Sequence, residues 1–284
     1  MEYLSELAIN SFIRLALAED VGAGDHSSLA CVPTTDIGRA ELKCKDEGVL
    51  AGINLAERIF LLVDDKLGVK LYFKDGQYAK YGDIVLEVKG NQQSILKAER
   101  LVLNCMQRMS GIATYTHKMI SMIAHTNAKL LDTRKTTPNF RIMEKWAVLI
   151  GGGHNHRFNL EDMIMIKDNH IDSAGSIKKA LEKTASYIKE KKIDIKVEIE
   201  TRNIEEVKKV LEVGLVDRIM LDNFDIPTTI EALALINSKY ETECSGGINE
   251  ETIVKVAETG VDYISVGALT HSFKSLDLSL KIKK

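Results

Sequence analysis

Apolar positions recur at helical spacing near the start of the chain, where Leu4, Leu7, Ala8, Leu15 and Ala18 fall roughly on one face. The spacing predicts an amphipathic helix over residues 3–19, ended by Gly22 and Gly24 and a turn at Asp25 to Ser28. Period-two alternation follows. Ala40, Leu42 and Cys44 alternate with Glu41, Lys43 and Lys45, and Val69, Leu71 and Phe73 alternate with Lys70 and Tyr72. Gly76, Gly82 and Gly90 punctuate a further apolar strand, so a small antiparallel layer is expected here. A helix is then predicted from Ser94, with Ile95, Ala98, Val102, Cys105 and Met109 on one face and Gly111 as its end.

From about residue 129 the pattern becomes strand then helix, repeatedly. The short apolar runs KLLDT, MIMIK, IKVEIE, RIMLD, TECSG and DYISVG are read as strands. The segments IKKALEKTASYIKE, IEEVKKVLEVG, TTIEALALINSK and ETIVKVAETG are read as helices. Strand starts roughly 20 to 34 residues apart match βα units and favour a parallel α/β barrel over a flat doubly wound sheet. No GxGxxG opens a helix, which weakens a dinucleotide-binding reading.

Composition narrows the class. A net charge of −3 argues against general nucleic-acid binding, and no apolar run approaches the length of a membrane span. The N-terminal residues lack the basic start of a signal peptide, and the four cysteines are scattered, so a cytoplasmic protein with reduced thiols is expected. The GD turn near Gly82 resembles a biotinyl or lipoyl hairpin but carries no lysine at its tip.

Against that background the stretch from Asp132 to His170 stands out. It crowds Arg134, Lys135, His156, Arg157 and Lys167 around three consecutive glycines, a combination suited to a polyanion. In a parallel barrel the loops after the strands build the active site. The strand ends supply Arg134 and Lys135, Lys167, Glu200, Asp222, Ser245 to Gly247, and Gly267. Glu200 and Asp222 offer hard oxygen ligands for Mg²⁺ beside phosphates, with Glu198 an alternative ligand. The SGG and SVG turns offer backbone N–H groups to a phosphate. His154, His156 and His170 lack the helical spacing of a zinc site, and Lys167 sits among other charges rather than in the apolar setting of a Schiff-base lysine. Arg100, off the apolar stripe of its helix, reads on its own as a solvated charge.

The motifs DTRKTTP, EKWAV, GGGHNHR, IKDNH, MLDNF, SGGI and DYISVGALTHS, with AEDVGAGDHSS and AERLVLN earlier, resemble the quinolinate phosphoribosyltransferase family along nearly the whole chain. The resemblance implies an N-terminal α/β sandwich-like domain (1–110), an incomplete TIM-like α/β barrel (111–270), and a tail (271–284) that packs back on the first domain. It implies transfer of phosphoribosyl from 5-phosphoribosyl-1-pyrophosphate (PRPP) to quinolinate with Mg²⁺, giving nicotinate mononucleotide, pyrophosphate and CO₂. By similarity, Thr133, Arg134, Lys135, His156, Arg157 and Lys167 line the quinolinate pocket, and Arg100 reaches in from a partner subunit of a homodimer or larger assembly. Glu200 and Asp222 take the Mg²⁺–pyrophosphate end. Ser245, Gly246, Gly247 and Gly267 cradle the 5-phosphate near His271, and Lys135 or Lys167 protonates the ring after CO₂ leaves. This chain departs from the family at Pro138-Asn139, where many members read Pro-Gly, and at Trp146 in place of tyrosine. Asn tolerates left-handed backbone, so the loop is expected to survive. A related paralogue acting on a different base, or a non-catalytic phosphosugar-binding barrel, are the alternatives.

Overall fold

The computed structural model describes residues 2–283. Five strands precede residue 92: β1 (Ile37–Cys44), β2 (Gly48–Val49), β3 (Gly68–Leu71), β4 (Tyr78–Ala79) and β5 (Ile84–Asn91). Six more follow: β6 (Lys129–Leu131), β7 (Met163–Ile166), β8 (Lys196–Thr201), β9 (Arg218–Asp222), β10 (Glu241–Ser245) and β11 (Tyr263–Ser265). The last is β12 (Leu278–Lys283). No helix among the described residues is long and apolar enough to cross a membrane.

Two compact units emerge. The first comprises Met1–His117, Thr136–Gly152 and Leu269–Lys284. Its main sheet is antiparallel in the order β12-β1-β5-β3, and β2 pairs with β4 apart from it. In β1 Ala40, Leu42 and Cys44 are fully buried, and Glu41 between them is also buried, covered by ion pairs to Arg39, Lys43 and Lys283. The opening helix runs Glu6–Val21, and Ser5 caps it by accepting from the Ala8 N–H at 3.3 Å.

The helix expected to start at Ser94 and stop at Gly111 instead runs unbroken over Gln92–Ile123. Its start is set by Asn91, whose side chain accepts from the Ser94 N–H at 3.0 Å, while the Ser94 hydroxyl donates to Asp64. Gly111 has a packing role. A Cβ there would lie 2.2 Å from the Lys274 carbonyl oxygen, so the missing side chain lets the C-terminal segment press against the helix.

The unit boundaries also differ from the sequence expectation. Residues 136–152, placed within the barrel on sequence grounds, belong to the first unit. They contain an unforeseen helix, Arg141–Ile150, whose fully buried Glu144 accepts from Arg108 at 2.6 Å and from the Thr137 N–H at 3.0 Å. At its end Gly151 sits where a Cβ would meet the Ala113 carbonyl at 2.6 Å. A helix fixed by a buried ion pair and a glycine contact carries no surface periodicity that marks which unit it joins.

The second unit, Lys118–Lys135 and Gly153–Ala268, is the incomplete parallel barrel. Its strands run β6-β11-β10-β9-β8-β7, all parallel. β6 and β7 are the two ends of this sheet, and an isolated bridge ties Leu131 at the end of β6 to His154 in the loop before β7. Ile199, Ile219, Leu221, Cys244 and Ile264 are buried on the outward face, and the alternate positions of the same strands point into the barrel. Ser176, Asn203 and Asp225 each cap the helix that follows by accepting from an N–H three residues on. The helix expected over residues 228–239 therefore begins earlier, at Ile226, and ends at Asn237, which adopts a φ of 47°. The last expected helix shortens to Ile253–Ala257.

Gly111→Ala gains helix propensity of about 1 kcal/mol, but a methyl group driven into a backbone carbonyl costs more, about 1–3 kcal/mol. A net loss of stability is expected, with faster amide exchange in Leu276 to Ile282. Thermal melts and hydrogen exchange check this, and a variant as stable as the parent with a protected tail would contradict it.

Candidate active site

The chemistry collects at the C-terminal ends of the barrel strands, all within the second unit. Glu200 ends the inward face of β8, Asp222 that of β9 and Ser245 that of β10. Lys167, just past β7, places its Nζ 2.5 Å from Glu200 Oε2. Burial raises the Asp222 pKa, and the like charge of Glu200 raises it further; a hydrogen bond from Asn223 and the charges of Lys167 and Lys135 oppose the rise. Glu200, Lys167 and Lys135 thus all act electrostatically on Asp222. Glu198 is excluded as a ligand at this end. It lies one inward position deeper on β8 and is fully buried.

On the facing loop, the Lys135 N–H donates to Thr133 Oγ1 at 3.0 Å, holding the turn after β6. Arg157 is half-buried and donates to the Met163 carbonyl at 3.0 Å. Burial lowers its pKa, as does the nearby charge of Arg134. Two guanidinium groups close enough to repel form a natural seat for a carboxylate.

His156 departs from the expectation that it lines the pocket alongside the cations. It is only 7 % exposed, and its Nε2 lies 3.1 Å from Glu198 and 3.4 Å from Glu243, inside the barrel. Arg218 Nη1 completes the cluster, 3.0 Å from Glu243 and 3.9 Å from Glu198. Burial disfavours a charged imidazole, but the two carboxylates outweigh it and push the His156 pKa up to about 9. The Arg157 N–H donates to His156 Nδ1 at 2.7 Å. A cationic ring would have to give up that contact, so the loop geometry seen is the one that accompanies a neutral ring protonated on Nε2.

Asp132, fully buried, holds the same loop by accepting from the His156 N–H at 2.9 Å and from Asn155 at 2.6 Å. It therefore serves the loop backbone. The three histidines do not converge as a zinc site would. His154 pairs through its backbone with Leu130 and Asp132, His156 turns inward, and His170 Nδ1 accepts from the Lys167 N–H at 3.0 Å. The glycines before them serve packing more than ligand approach: Gly151 allows the Ala113 contact, and Gly152 takes a φ of 93°.

The phosphate-cradle glycines are better placed. Gly246 has a φ of 94°, with the Asn223 Oδ1 2.2 Å from the position of a Cβ, and Gly247, at 64°, has open space around it. Gly267 leads into the short helix Ala268–His271. Asn139 adopts a φ of 62°, the left-handed conformation expected of it. Arg100, exposed on its long helix, and His271, exposed with Nδ1 2.7 Å from Ser272 Oγ, belong to the first unit and are not among the barrel residues that cluster here.

Sequence reasoning missed Asp132, Asn155, Arg218, Asn223 and Glu243. A signal existed for two of them. Arg218 and Glu243, like Glu198, are charges within strands at the same inward phase as Glu200, Asp222 and Ser245, where apolar residues are the rule.

Comparison with known proteins agrees with this geometry. Residues 25–110 match the model of the quinolinate phosphoribosyl transferase N-terminal domain, and residues 112–281 that of its C-terminal domain. The chain is 48% identical to quinolinate phosphoribosyltransferase [decarboxylating] 2, mitochondrial, of Nicotiana glauca, over 96% of this chain and 82% of that one. It is 47% identical to the chloroplastic nicotinate-nucleotide pyrophosphorylase of Arabidopsis thaliana, with the same coverage. The crystal structure of NadC from Streptococcus pyogenes superposes with a TM-score of 0.93 at 40% identity, covering 99% of this chain and 98% of that one. The organellar names of the plant relatives overturn the cytoplasmic placement expected from scattered cysteines and the N-terminal residues. Those features report redox chemistry and the first few residues, and neither decides a compartment. The domain matches, the near-full-length identity and the charge pattern at the barrel mouth together make this chain a member of the quinolinate phosphoribosyltransferase family, the decarboxylating enzymes of de novo NAD synthesis.

Proposed function

We propose that Arg134, Lys135, Arg157 and Lys167, with Thr133 in the same loop, grip the two carboxylates of quinolinate. Glu200 and Asp222 hold Mg²⁺ with the pyrophosphate of PRPP, while Ser245, Gly246, Gly247 and Gly267 receive the 5-phosphate near His271. The observation that carries this reading is the opposition of two charge sets in one unit. The repelling Arg134 and Arg157 call for an anion, and Asp222, raised beside Glu200, calls for a cation. Mg²⁺ bound there would neutralise the pyrophosphate as it leaves.

The side chains then divide the work. Cations clamp quinolinate so that its ring nitrogen faces the ribose carbon, and a positioned reactant needs far less of the entropy cost of encounter. The C–O bond to pyrophosphate breaks as the N–C bond forms, leaving a positively charged ring nitrogen. That nitrogen draws electrons from the neighbouring carboxylate, the C–C bond breaks, and CO₂ departs. The electron pair left on the ring carbon takes a proton from Lys135 or Lys167. Lys167 donates to Glu200, and Lys135 is exposed and able to exchange with solvent. The assembly is a homodimer or larger, and Arg100 of one chain completes the pocket of the next.

Mixing the protein with quinolinate, PRPP and Mg²⁺ should yield nicotinate mononucleotide and CO₂; turnover of nicotinate but not of quinolinate would sink the reading. For a general acid, Lys135→Ala or Lys167→Ala should slow decarboxylation by about 100-fold or more. If neither changes it, the proton comes from elsewhere. Arg100→Ala and Lys167→Ala should each be inactive alone, yet recover roughly a quarter of parental activity when mixed, as random exchange between dimers gives one intact site in half of them. No recovery after subunit exchange would rule out a shared pocket.

The pH dependence has a defined sign. A raised Asp222 pKa means that this carboxylate protonates at higher pH than an ordinary Asp, so the acid limb of Mg²⁺-dependent turnover should lie at higher pH than an ordinary Asp would give. Lys135 opposes that rise, so Lys135→Ala should move the limb to still higher pH in its residual activity. A limb that stays put or moves down would contradict the assignment.

A further inference from the structure

The charged cluster inside the barrel is separate from the groups that meet the substrates. His156, Glu198 and Glu243 bring ligand-type atoms within 4.8 Å of one another, a grouping that could hold a metal ion. Arg218 supplies a cation of its own there, 3.0 Å from Glu243 and 3.9 Å from Glu198, so the carboxylates are compensated from within the chain. The guanidinium is fixed in turn. It stacks on the Tyr263 ring with its centre 3.9 Å from the centroid, and its Nη2 lies 3.1 Å from Glu241.

Stability alone gives a poor reason for such a network. A buried ion cluster of this kind can often be replaced by apolar residues of similar volume with no loss of stability, so its worth lies elsewhere. What the cluster does is reach one side chain. His156 Nε2 lies 3.1 Å from Glu198 and 3.4 Å from Glu243, and its Nδ1 receives the N–H of Arg157, so the ring lies between the carboxylates and the loop backbone. The backbone of Arg157 therefore starts from a point set inside the barrel, and its guanidinium is held by donating to the Met163 carbonyl at 3.0 Å and to the Met165 sulfur at 3.7 Å.

We infer that Glu198, Glu243 and Arg218 are positioning residues that act through His156 to aim the Arg157 side chain at the substrate's carboxylates. The inference rests on the reading of Arg157 as part of the quinolinate grip. The barrel core acts as a fixed stop for the glycine-rich loop: Arg218 holds the carboxylates, the carboxylates hold the imidazole, and the imidazole holds the Arg157 amide. Glu200 and Asp222, at the mouth, lie outside this chain of contacts, so the PRPP end should not depend on it.

The test compares Glu198→Gln, Glu243→Gln, Arg218→Lys and the paired Glu243→Met/Arg218→Met, which removes one charge of each sign and keeps volume. In folded protein the KM for quinolinate should rise about tenfold or more, since small misplacements of a binding group are costly, while the KM for PRPP stays within about twofold. Arg218→Lys, which keeps charge but loses the planar fork, should fall between parent and Arg218→Met-containing protein. Recorded above about pH 9, where the ring is neutral, the ¹⁵N imidazole spectrum of His156 should show an unprotonated Nδ1 in the parent and a changed signal in the Glu243→Met/Arg218→Met pair. Quinolinate KM unchanged across the set would overturn the inference. So would equal rises in both KM values that track loss of melting cooperativity, or an identical His156 spectrum in parent and paired variant. If the parent itself fails to turn over quinolinate, the substrate reading fails, while the imidazole spectrum still reports whether the core network holds His156.

Discussion

Every second residue of a barrel strand points inward, and in β8, β9 and β10 those inward positions are charged or polar except at Met220. Arg218 and Glu241 lie at the N-terminal end of their strands, Glu198 and Glu243 come next, and Glu200, Asp222 and Ser245 sit at the mouth. A barrel interior is a packed core, so charges there must be matched by partners of opposite sign or the desolvation cost would unfold it. That requirement ties the strands to one another. It also ties them to the loop after β6 and the loop before β7, because His156 is the partner that two of the carboxylates need.

The same constraint separates two functions by depth. Deep charges face opposite charge within the chain, Arg218 lying near three glutamates and stacking on Tyr263 and His156 lying near two carboxylates, although both Glu198 oxygens are buried without a hydrogen bond. Charges at the mouth are arranged in sets of like sign, with Arg134 beside Arg157 and Asp222 beside Glu200. Like-sign sets are unfavourable in the free protein and become favourable with a ligand of opposite charge, which is the arrangement expected where binding drives chemistry. Lys167 links the two sets, since it pairs with Glu200 while belonging to the cationic loop by position.

Glycine plays two different parts in this protein, and chain position does not tell them apart. At Gly111 and Gly151 the absent side chain admits a neighbouring backbone, and the result is rigid packing. At Gly246 and Gly247 the backbone takes positive φ after β10, and Gly247 faces open space in which a phosphate could approach. A run such as Gly151–Gly153 therefore reads from sequence like a ligand loop, while its first member is a packing contact.

The sequence by itself determined the alternation of strands and helices, the parallel order that follows from long crossovers, and the chemistry at the strand ends. Those are local properties: period two, period 3.6 and the residue just past each strand are written within a few positions of one another. Arg134, Lys135, Lys167, Glu200, Asp222 and the glycines after β10 were legible for that reason. Tertiary structure alone decided that the helix Gln92–Ile123 passes through Gly111, that residues 136–152 join the first unit, and that His156 turns into the barrel. Each depends on a partner far away in the chain, Lys274 for Gly111, Arg108 for Glu144, and Glu198 and Glu243 for His156. A pattern with a period reveals which face a residue occupies, but what waits on that face is set by the fold that brings distant segments together.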